Sequence, residues 1–200
     1  VALALASQVA ATILGFFLAL MRTSRSAPVR VVSGVYAWVF RAIPTLLILL
    51  FIWNALPQLI PALTEDWFTP FLAGFIGLSV AEAAYMAEII RSALLSVDPE
   101  QRLAAKALGM TPAQSMRKVI LPQVIRIAIP PTGNELITML KFTSLTSVIS
   151  LQELLTVSQQ NIAATFRYAE FYAAAATYYL VIVSILMVLQ MRLERRYEWR

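Results

Sequence analysis

Histidine and cysteine are both absent from this sequence of 200 residues. Without cysteine, disulfides and thiolate metal sites within the chain are excluded. Without histidine, serine–histidine and cysteine–histidine catalysis, zinc-protease motifs and haem ligation by histidine are excluded as well. The phosphate-binding loop GxxxxGK[ST] is also missing from the sequence. These absences exclude the named types of catalytic, metal and nucleotide site within the chain, and we expect no metal site.

Charged residues are scarce, at 14% of the chain, compared with about a quarter in a typical soluble domain. Hydrophobic residues make up 60%, and the mean hydropathy is +0.73. This composition predicts a protein that crosses a lipid bilayer several times. The net charge of +5 could suggest nucleic acid, but basic residues collect in the cytoplasmic loops of membrane proteins. We expect no nucleic-acid partner.

Apolar segments of bilayer-spanning length predict an all-α bundle of five transmembrane helices in a single domain over residues 1–200. The first segment has no basic region or clear cleavage site of a signal peptide, so we interpret it as a retained helix. A span in the second half of the chain is expected to begin after a break at Pro130–Pro131. The predicted spans cover residues 1–21, 35–56, 71–90, 132–149 and 171–191.

Basic residues predict the orientation of the spans. Arg22, Arg25, Arg30 and Arg41 flank the first connection, six Lys or Arg lie between positions 91 and 126, and the C-terminal tail is again basic up to Arg200. The connections on the opposite side contain a single basic residue. Because basic residues favour the cytoplasmic side, we expect the N-terminus outside and the C-terminus inside.

The segment of about residues 98–122 is a polar interruption in this apolar chain. Asp98 is a candidate N-cap, Pro99 suits the first helical position, and Gln101 completes a capping box. Gly109 is a C-terminal stop signal for this short helix.

The same pattern restarts at Thr111 and Gln114, which form a second predicted capping box, and the second helix is expected to be interrupted at Pro122. Neither helix is long enough to cross a bilayer. We expect a structured cytoplasmic elbow that contacts another protein.

The elbow resembles the signature of ATP-binding cassette importer permeases, which is Glu-Ala-Ala, three residues, Gly, nine residues, Ile, any residue, Leu-Pro. A leucine replaces the glutamate and a valine replaces the isoleucine, so any polar contact of that glutamate is in question. The segments FRAIPTLLILLFIW, AAYMAEIIRSAL, LPQVIRIAIPPTGNELITMLKFTSLTSVI and LERR are similar to the polar amino-acid subfamily. The matching signature residues are Leu103, Ala104, Ala105, Gly109, Val119, Leu121 and Pro122.

This resemblance implies a multi-pass permease of the type I fold in a bacterial inner membrane. It implies that the elbow docks in a groove of a separate ATPase subunit, which binds ATP and Mg. The resemblance therefore implies that this chain is itself not an enzyme and binds no cofactor. Two permease subunits, identical or related, line one pathway, and a periplasmic solute-binding protein delivers a polar amino acid.

Charged residues inside predicted spans are costly and are therefore candidates for function. The resemblance favours Glu135 as a solute contact, and Glu82 is a second candidate. A structural alternative is that one of the two carboxylates pairs with Lys141. Glu88 and Arg91, three residues apart, are expected to form a local structural pair. Hydroxyl groups for the solute could come from Thr143, Ser144 and Thr146, although bonding to the helix backbone is their commoner role.

Two other functions fit the sequence. The same architecture could import a related zwitterion such as ectoine or an opine. An ion-gradient-driven transporter or channel would need neither the ATPase nor the elbow, and transport by the purified chain alone would indicate it.

Overall fold

The computed structural model describes residues 1–197, and every regular element in that range is helical, which confirms the all-α prediction. Arg200 of the predicted basic tail lies outside the described residues. Two short π-helical turns, Phe51–Ala55 and Met116–Ile120, and two 3₁₀ turns, Pro61–Thr64 and Thr143–Ile149, complete the chain. The α-helices are α1 Ala2–Arg22, α2 Ala27–Ala42, α3 Thr45–Leu50, α4 Leu56–Leu59, α5 Pro70–Ser96, α6 Pro99–Ala107, α7 Pro112–Ser115, α8 Leu121–Phe142, α9 Leu154–Thr165 and α10 Tyr168–Tyr197.

Helix α5 is the centre of the bundle, and α1, α2, α3 and α8 pack around it. Small residues let the helices approach closely, as at Gly15, where a Cβ atom would lie 2.6 Å from the Cβ of Met86 on α5. One apolar cluster joins α5 to α3 and α8 through residues such as Leu49, Leu78 and Met139. A second cluster joins α5 to α1 and α8 nearer the elbow.

Within residues 1–197, three helices, α1, α5 and α10, are each long and apolar enough to cross a membrane, and α2 together with the Thr45–Leu59 arm would make a fourth if that bent pair is one span. The three long helices contain the predicted spans 71–90 and 171–191 and, apart from Val1, the predicted span 1–21. Helix α10 packs on α8 and α9 and leaves most of its apolar surface exposed. The number of spans and the orientation of the chain stay predictions.

The segment predicted as a span over residues 35–56 is not one continuous helix. The chain bends by 100° between α2 and the Thr45–Leu59 arm. Proline disfavours the helical conformation in the residue before it, and Ile43 is accordingly extended, with φ −85° and ψ 129°. Pro44 has no N–H with which to continue the helix. Tertiary hydrogen bonds hold α2 in its own direction, from Ser33 Oγ to the Leu18 carbonyl and from Tyr36 Oη to the Val80 carbonyl, both 2.8 Å.

The predicted interruptions at Pro122 and at Pro130–Pro131 are also wrong, because the chain is helical without a gap from Pro112 to Phe142. A proline ring in a helix clashes with the carbonyl four residues earlier, which for Pro122 belongs to Lys118. Lys118 lies in the π-helical turn Met116–Ile120, where the backbone is locally widened. The earlier π turn, Phe51–Ala55, likewise comes directly before a Leu-Pro pair, Leu56–Pro57.

At Pro130–Pro131, helix α8 is held by its neighbours. Helices α5 and α10 pack against it, and Gln190 of α10 donates from Nε2 to the Pro130 carbonyl at 3.3 Å and to Asn134 Oδ1 at 3.1 Å. These contacts hold α8 on both sides of the proline pair, and helices in membranes tolerate proline where neighbouring helices support them. The span predicted to begin at residue 132 is therefore the second half of a longer helix that starts in the elbow.

Candidate functional site

The elbow begins at α6, and Asp98 caps this helix as predicted. Asp98 Oδ1 accepts a hydrogen bond from the Glu100 backbone N–H at 2.8 Å. The predicted capping box with Gln101 is wrong, because the Gln101 N–H donates to the Asp98 backbone carbonyl, at 3.0 Å. The Asp98 carboxylate is already engaged one residue earlier.

Gly109 ends α6 in a Schellman motif. Its φ is +73°, in the left-handed region that favours glycine. The Met110 N–H donates to the Ala105 carbonyl and the Gly109 N–H donates to the Lys106 carbonyl, both at 3.0 Å. The predicted stop is confirmed, and these two bonds fix the turn between α6 and α7.

The second capping box is present at the start of α7. The Gln114 N–H donates to Thr111 Oγ1 at 3.3 Å, and the Thr111 N–H donates to Gln114 Oε1 at 2.9 Å. Both ends of the turn are thus fixed by side-chain or backbone hydrogen bonds, and the elbow is a structured unit rather than a loop.

The signature residues of the elbow divide into two groups. Ala105 is buried, whereas Leu103 and the neighbouring Leu108 are 66% and 78% exposed. Ala104 is exposed too. An exposed apolar surface of this kind on a capped helix is suited to docking against another protein. Val119 and Leu121 are partly buried, and Pro122 is exposed at the start of α8.

A cleft of about 290 Å³ lies between α5, α8 and the end of α2. Glu135, half-buried on α8, forms part of one wall. Arg41 of α2 lies over the ring of Tyr85, with its guanidinium carbon 5.6 Å from the ring centroid. The full lining is Arg41, Tyr85, Glu88, Ile89, Ser92, Ala93, Ser96, Ile127, Pro131 and Glu135.

Glu88 and Arg91 form the predicted local pair along α5. Arg91 Nε lies 3.1 and 3.2 Å from the two carboxylate oxygens of Glu88, and Arg91 Nη2 donates to the same carboxylate. Because Glu88 is neutralised by this partner, Arg41 and Glu135 are the cleft charges that remain to be balanced. They lie on different helices.

Glu82 is 3% exposed on α5 and does not line the cleft. Its Oε1 atom has no hydrogen-bond partner among the described residues. It lies within electrostatic range of Glu135. Across residues 1–197, neither carboxylate forms an ion pair with Lys141, which is exposed. The ion pair between Lys141 and Glu82 or Glu135, which was the structural alternative, is therefore not present in residues 1–197.

The three candidate hydroxyl residues lie in the 3₁₀ turn after α8. Each hydroxyl donates to the carbonyl three residues earlier, at 2.6 Å for Thr143, 2.7 Å for Ser144 and 2.6 Å for Thr146. Thr146 is fully buried against Gly74 of α5. None of the three lines the cleft as it stands. Their role as solute ligands stays a prediction.

Arg41 is the cleft residue that sequence reasoning missed, since it was counted only among the basic residues of the first connection. A signal was present, because Arg41 lies directly before the bend at Pro44. The bend ends α2 at Ala42 and places its last turn beside α5.

Comparisons with known proteins agree with this architecture. Residues 11–199 match the family described as binding-protein-dependent transport system inner membrane component. A crystal structure of an amino acid ABC transporter with histidines superposes with a TM-score of 0.87 and 38% identity, covering 97% of this chain and 88% of that one.

Curated relatives cover most of this chain as well. The arginine transport system permease protein ArgU of Corynebacterium glutamicum is 42% identical over 99% of this chain and 66% of its own length. The probable amino-acid permease YxeN of Bacillus subtilis is 40% identical over 96% and 85%. The octopine transport system permease OccM of Rhizobium radiobacter is 36% identical over 90% and 75%. The chain belongs to the family of inner membrane components of binding-protein-dependent transport systems.

Proposed function

We propose that this chain is the permease subunit of an ATP-driven importer of polar amino acids. The observation that carries the proposal is the cleft between α5, α8 and α2, in which Glu135 and Arg41 present opposite charges from different helices. A free amino acid carries an ammonium and a carboxylate close together. Glu135 would hold the ammonium, and Arg41 would hold the carboxylate.

The backbone of α8 supports the same assignment. Pro131 has no N–H, so the Ile127 carbonyl lacks the donor that a regular helix would supply four residues later. Ile127 and Pro131 both line the cleft. A carbonyl oxygen there is a further acceptor for an ammonium group. Irregular backbone at membrane depth is tolerated where it lines such a cavity.

The elbow would provide the coupling to ATP. The exposed surface of α6, with Leu103 and Leu108, would dock in a groove of a separate ATPase subunit that binds ATP and Mg. A second permease, identical or related, would complete the pathway, and a periplasmic protein would deliver the solute. Nucleotide binding would then shift the inward–outward equilibrium through contacts that differ between the two states.

The test is solute-stimulated ATPase activity of the reconstituted complex with its binding protein. Arginine and histidine serve as solutes because ArgU is an arginine permease and the structural neighbour is an amino acid transporter with histidines. Glutamine is the third solute because the glutamine transport system permease GlnP of Escherichia coli is also a relative, at 39% identity. Glu135→Gln and Arg41→Gln should each raise the solute concentration needed for half-maximal stimulation by about 5- to 150-fold, as expected for a lost charge-assisted hydrogen bond. Glu65→Gln, in an exposed segment away from the cleft, is the matched control.

An unchanged solute response in both cleft variants would contradict the assignment of the solute site. Solute uptake by the purified chain without any ATPase would contradict the proposal as a whole and favour an ion-gradient-driven transporter or channel.

A second candidate solute is an opine, because the octopine permease is among the relatives. An opine is a larger zwitterion with an additional carboxylate. Octopine in the same assay would stimulate ATP hydrolysis if this alternative holds, while single amino acids would not.

A further inference from the structure

We propose that a basic cleft between the end of α1 and α2 binds the phosphate-bearing headgroup of an anionic phospholipid. The cleft has a volume of about 470 Å³ and is separate from Glu135. Among the described residues, no acidic side chain lines it. Its lining is Arg22, Arg30, Val31, Gly34, Val35 and Trp38.

The Arg22 guanidinium fits in this cleft because the residue opposite it, Gly34, has no side chain. Arg22 is the last residue of α1, where a cation also complements the helix dipole. A Cβ atom on Gly34 would lie 2.6 Å from Arg22 Nη1, so glycine makes the room that the guanidinium occupies. Within residues 1–197, Arg22 forms no ion pair, and the nearby Glu88 is already neutralised by Arg91.

Arg30 is fixed beside Arg22 by the turn that joins the two helices. Its Nη1 atom donates to the carbonyls of Ser24 at 3.0 Å and of Arg25 at 2.9 Å. A guanidinium has five N–H donors, so this anchoring leaves donors for a phosphate. Two arginines held next to each other without a carboxylate form the arrangement that phosphate oxygens favour.

The apolar part of the cleft fits the rest of a lipid molecule. One side of α2 presents three exposed apolar residues at helical spacing, Val31, Val35 and Trp38. Trp38 is 71% exposed. Because α2 is inclined at 100° to the Thr45–Leu59 arm, α2 lies near the membrane plane if that arm crosses the bilayer. An interfacial helix with basic and aromatic residues is typical of contact with anionic lipid.

The apolar residues also distinguish a lipid from free phosphate. A soluble phosphate would use the two arginines and would not contact Val31, Val35 or Trp38. A phospholipid would place its phosphate at Arg22 and Arg30 and its acyl chains along the three apolar residues. The proposed ligand is therefore a phospholipid rather than a soluble phosphate.

The experiment uses the complete transporter in nanodiscs and the fluorescence of Trp38, obtained as the difference between the parent protein and Trp38→Phe. Brominated phosphatidylglycerol should quench Trp38 more than brominated phosphatidylcholine at the same mole fraction. The Arg22→Gln, Arg30→Gln double variant should reduce this preference about 30-fold. The matched control, Arg25→Gln, changes an exposed arginine of the same turn that does not line the cleft, and it should keep the preference.

Basal ATPase activity and elution volume show that each variant is folded and assembled. Equal quenching by the two lipids, an equal loss in Arg25→Gln, or no quenching by any lipid because a second permease covers Trp38 would each overturn the proposal. Relief of quenching by millimolar glycerol phosphate would show that the site takes soluble phosphate, which also overturns the lipid assignment.

Discussion

Gly109 determines the shape of the elbow through its backbone conformation alone. Its φ of +73° is strained for residues with a side chain, yet among the described residues no atom beyond its chain neighbours lies within 4 Å of the position that a Cβ would occupy. A substitution there consequently tests the turn without creating a clash. The hydrogen bonds from Gly109 and Met110 depend on the same conformation.

Gly109→Val should disturb the turn at a cost of about 1–3 kcal/mol, because a β-branched residue tolerates the left-handed region poorly. The protein should insert and assemble normally, while solute-stimulated ATP hydrolysis falls sharply. Gly109→Asn is the matched control, since asparagine adopts this conformation more readily, and it should retain most coupling. Normal uptake by a well-expressed Gly109→Val variant would show that α6 is not the docking helix.

Glu135→Gln should leave the folded yield of the complex unchanged, because Glu135 has no ion-pair partner to lose within the described chain. Lys141→Met should be equally harmless for the yield. Detergent-extracted complex, measured by size-exclusion chromatography, checks both variants. A low yield for Glu135→Gln that the double variant restores would instead indicate that the two residues pair in the assembled transporter.

For single residues, the sequence predicts helix caps and stops, but it does not predict which side chains face the cleft. The caps at Asp98 and Thr111 and the stop at Gly109 depend on neighbours within a few residues, so the sequence contains the relevant information. Whether Glu82 or Glu135 lines the cleft depends on how α5 and α8 are rotated against each other. That rotation is decided by packing across the whole bundle.

The interface between α1 and α5 depends on close contact along its length. At Gly15, a Cβ atom would lie 2.6 Å from the Met86 Cβ and 2.9 Å from the Ala87 backbone nitrogen. Neither of these can move without shifting α5 itself. The two helices are therefore held at a distance that only glycine permits.

Gly15→Ala should lower the stability of the complex by about 1–3 kcal/mol, because it forces α1 away from α5. Alanine is the better helix former by up to about 1 kcal/mol, so a loss cannot come from helix propensity. Thermal inactivation in detergent measures the effect. Val9→Ala removes side-chain atoms from the exposed side of α1 and should change the inactivation temperature little. Equal stability of both variants would contradict the interface.

The sequence predicts the positions of the long helices more accurately than the places where helices bend or end. Long apolar segments locate α1, α5 and α10, because hydrophobic length is a property of the sequence. The sequence predicts a span across Pro44 and interruptions at Pro122 and at Pro130–Pro131, and the structure differs from this expectation at each. Pro44 bends the chain by 100°, whereas Pro122, Pro130 and Pro131 lie in an unbroken helix. Whether a proline bends the helix depends here on π turns and on contacts with other helices. A rule based on neighbouring residues in the sequence includes neither.

The orientation of the whole molecule can be tested with cysteines, since the chain has none. Ala62, in the 3₁₀ turn after α4, and Ala113, in α7, are both exposed. Ala62→Cys should react with an impermeant thiol reagent in intact spheroplasts. Ala113→Cys should react only after the membrane is opened, because the basic elbow is expected in the cytoplasm. The reverse pattern of labelling would show that the predicted orientation is inverted.

The unbroken helix from Pro112 to Phe142 joins the elbow to the cleft within one element. At 1.5 Å per residue it is about 45 Å long, with α7 at one end and Glu135 less than two turns from the other. A stiff rod cannot be pushed at one end without moving or bending along its length. The π turn at residues 116–120 departs from the regular α-helical hydrogen-bond pattern of this rod. If the elbow docks on an ATPase as we propose, the position of that turn would set how much of a displacement at the elbow reaches the cleft and how much is lost as local rewinding.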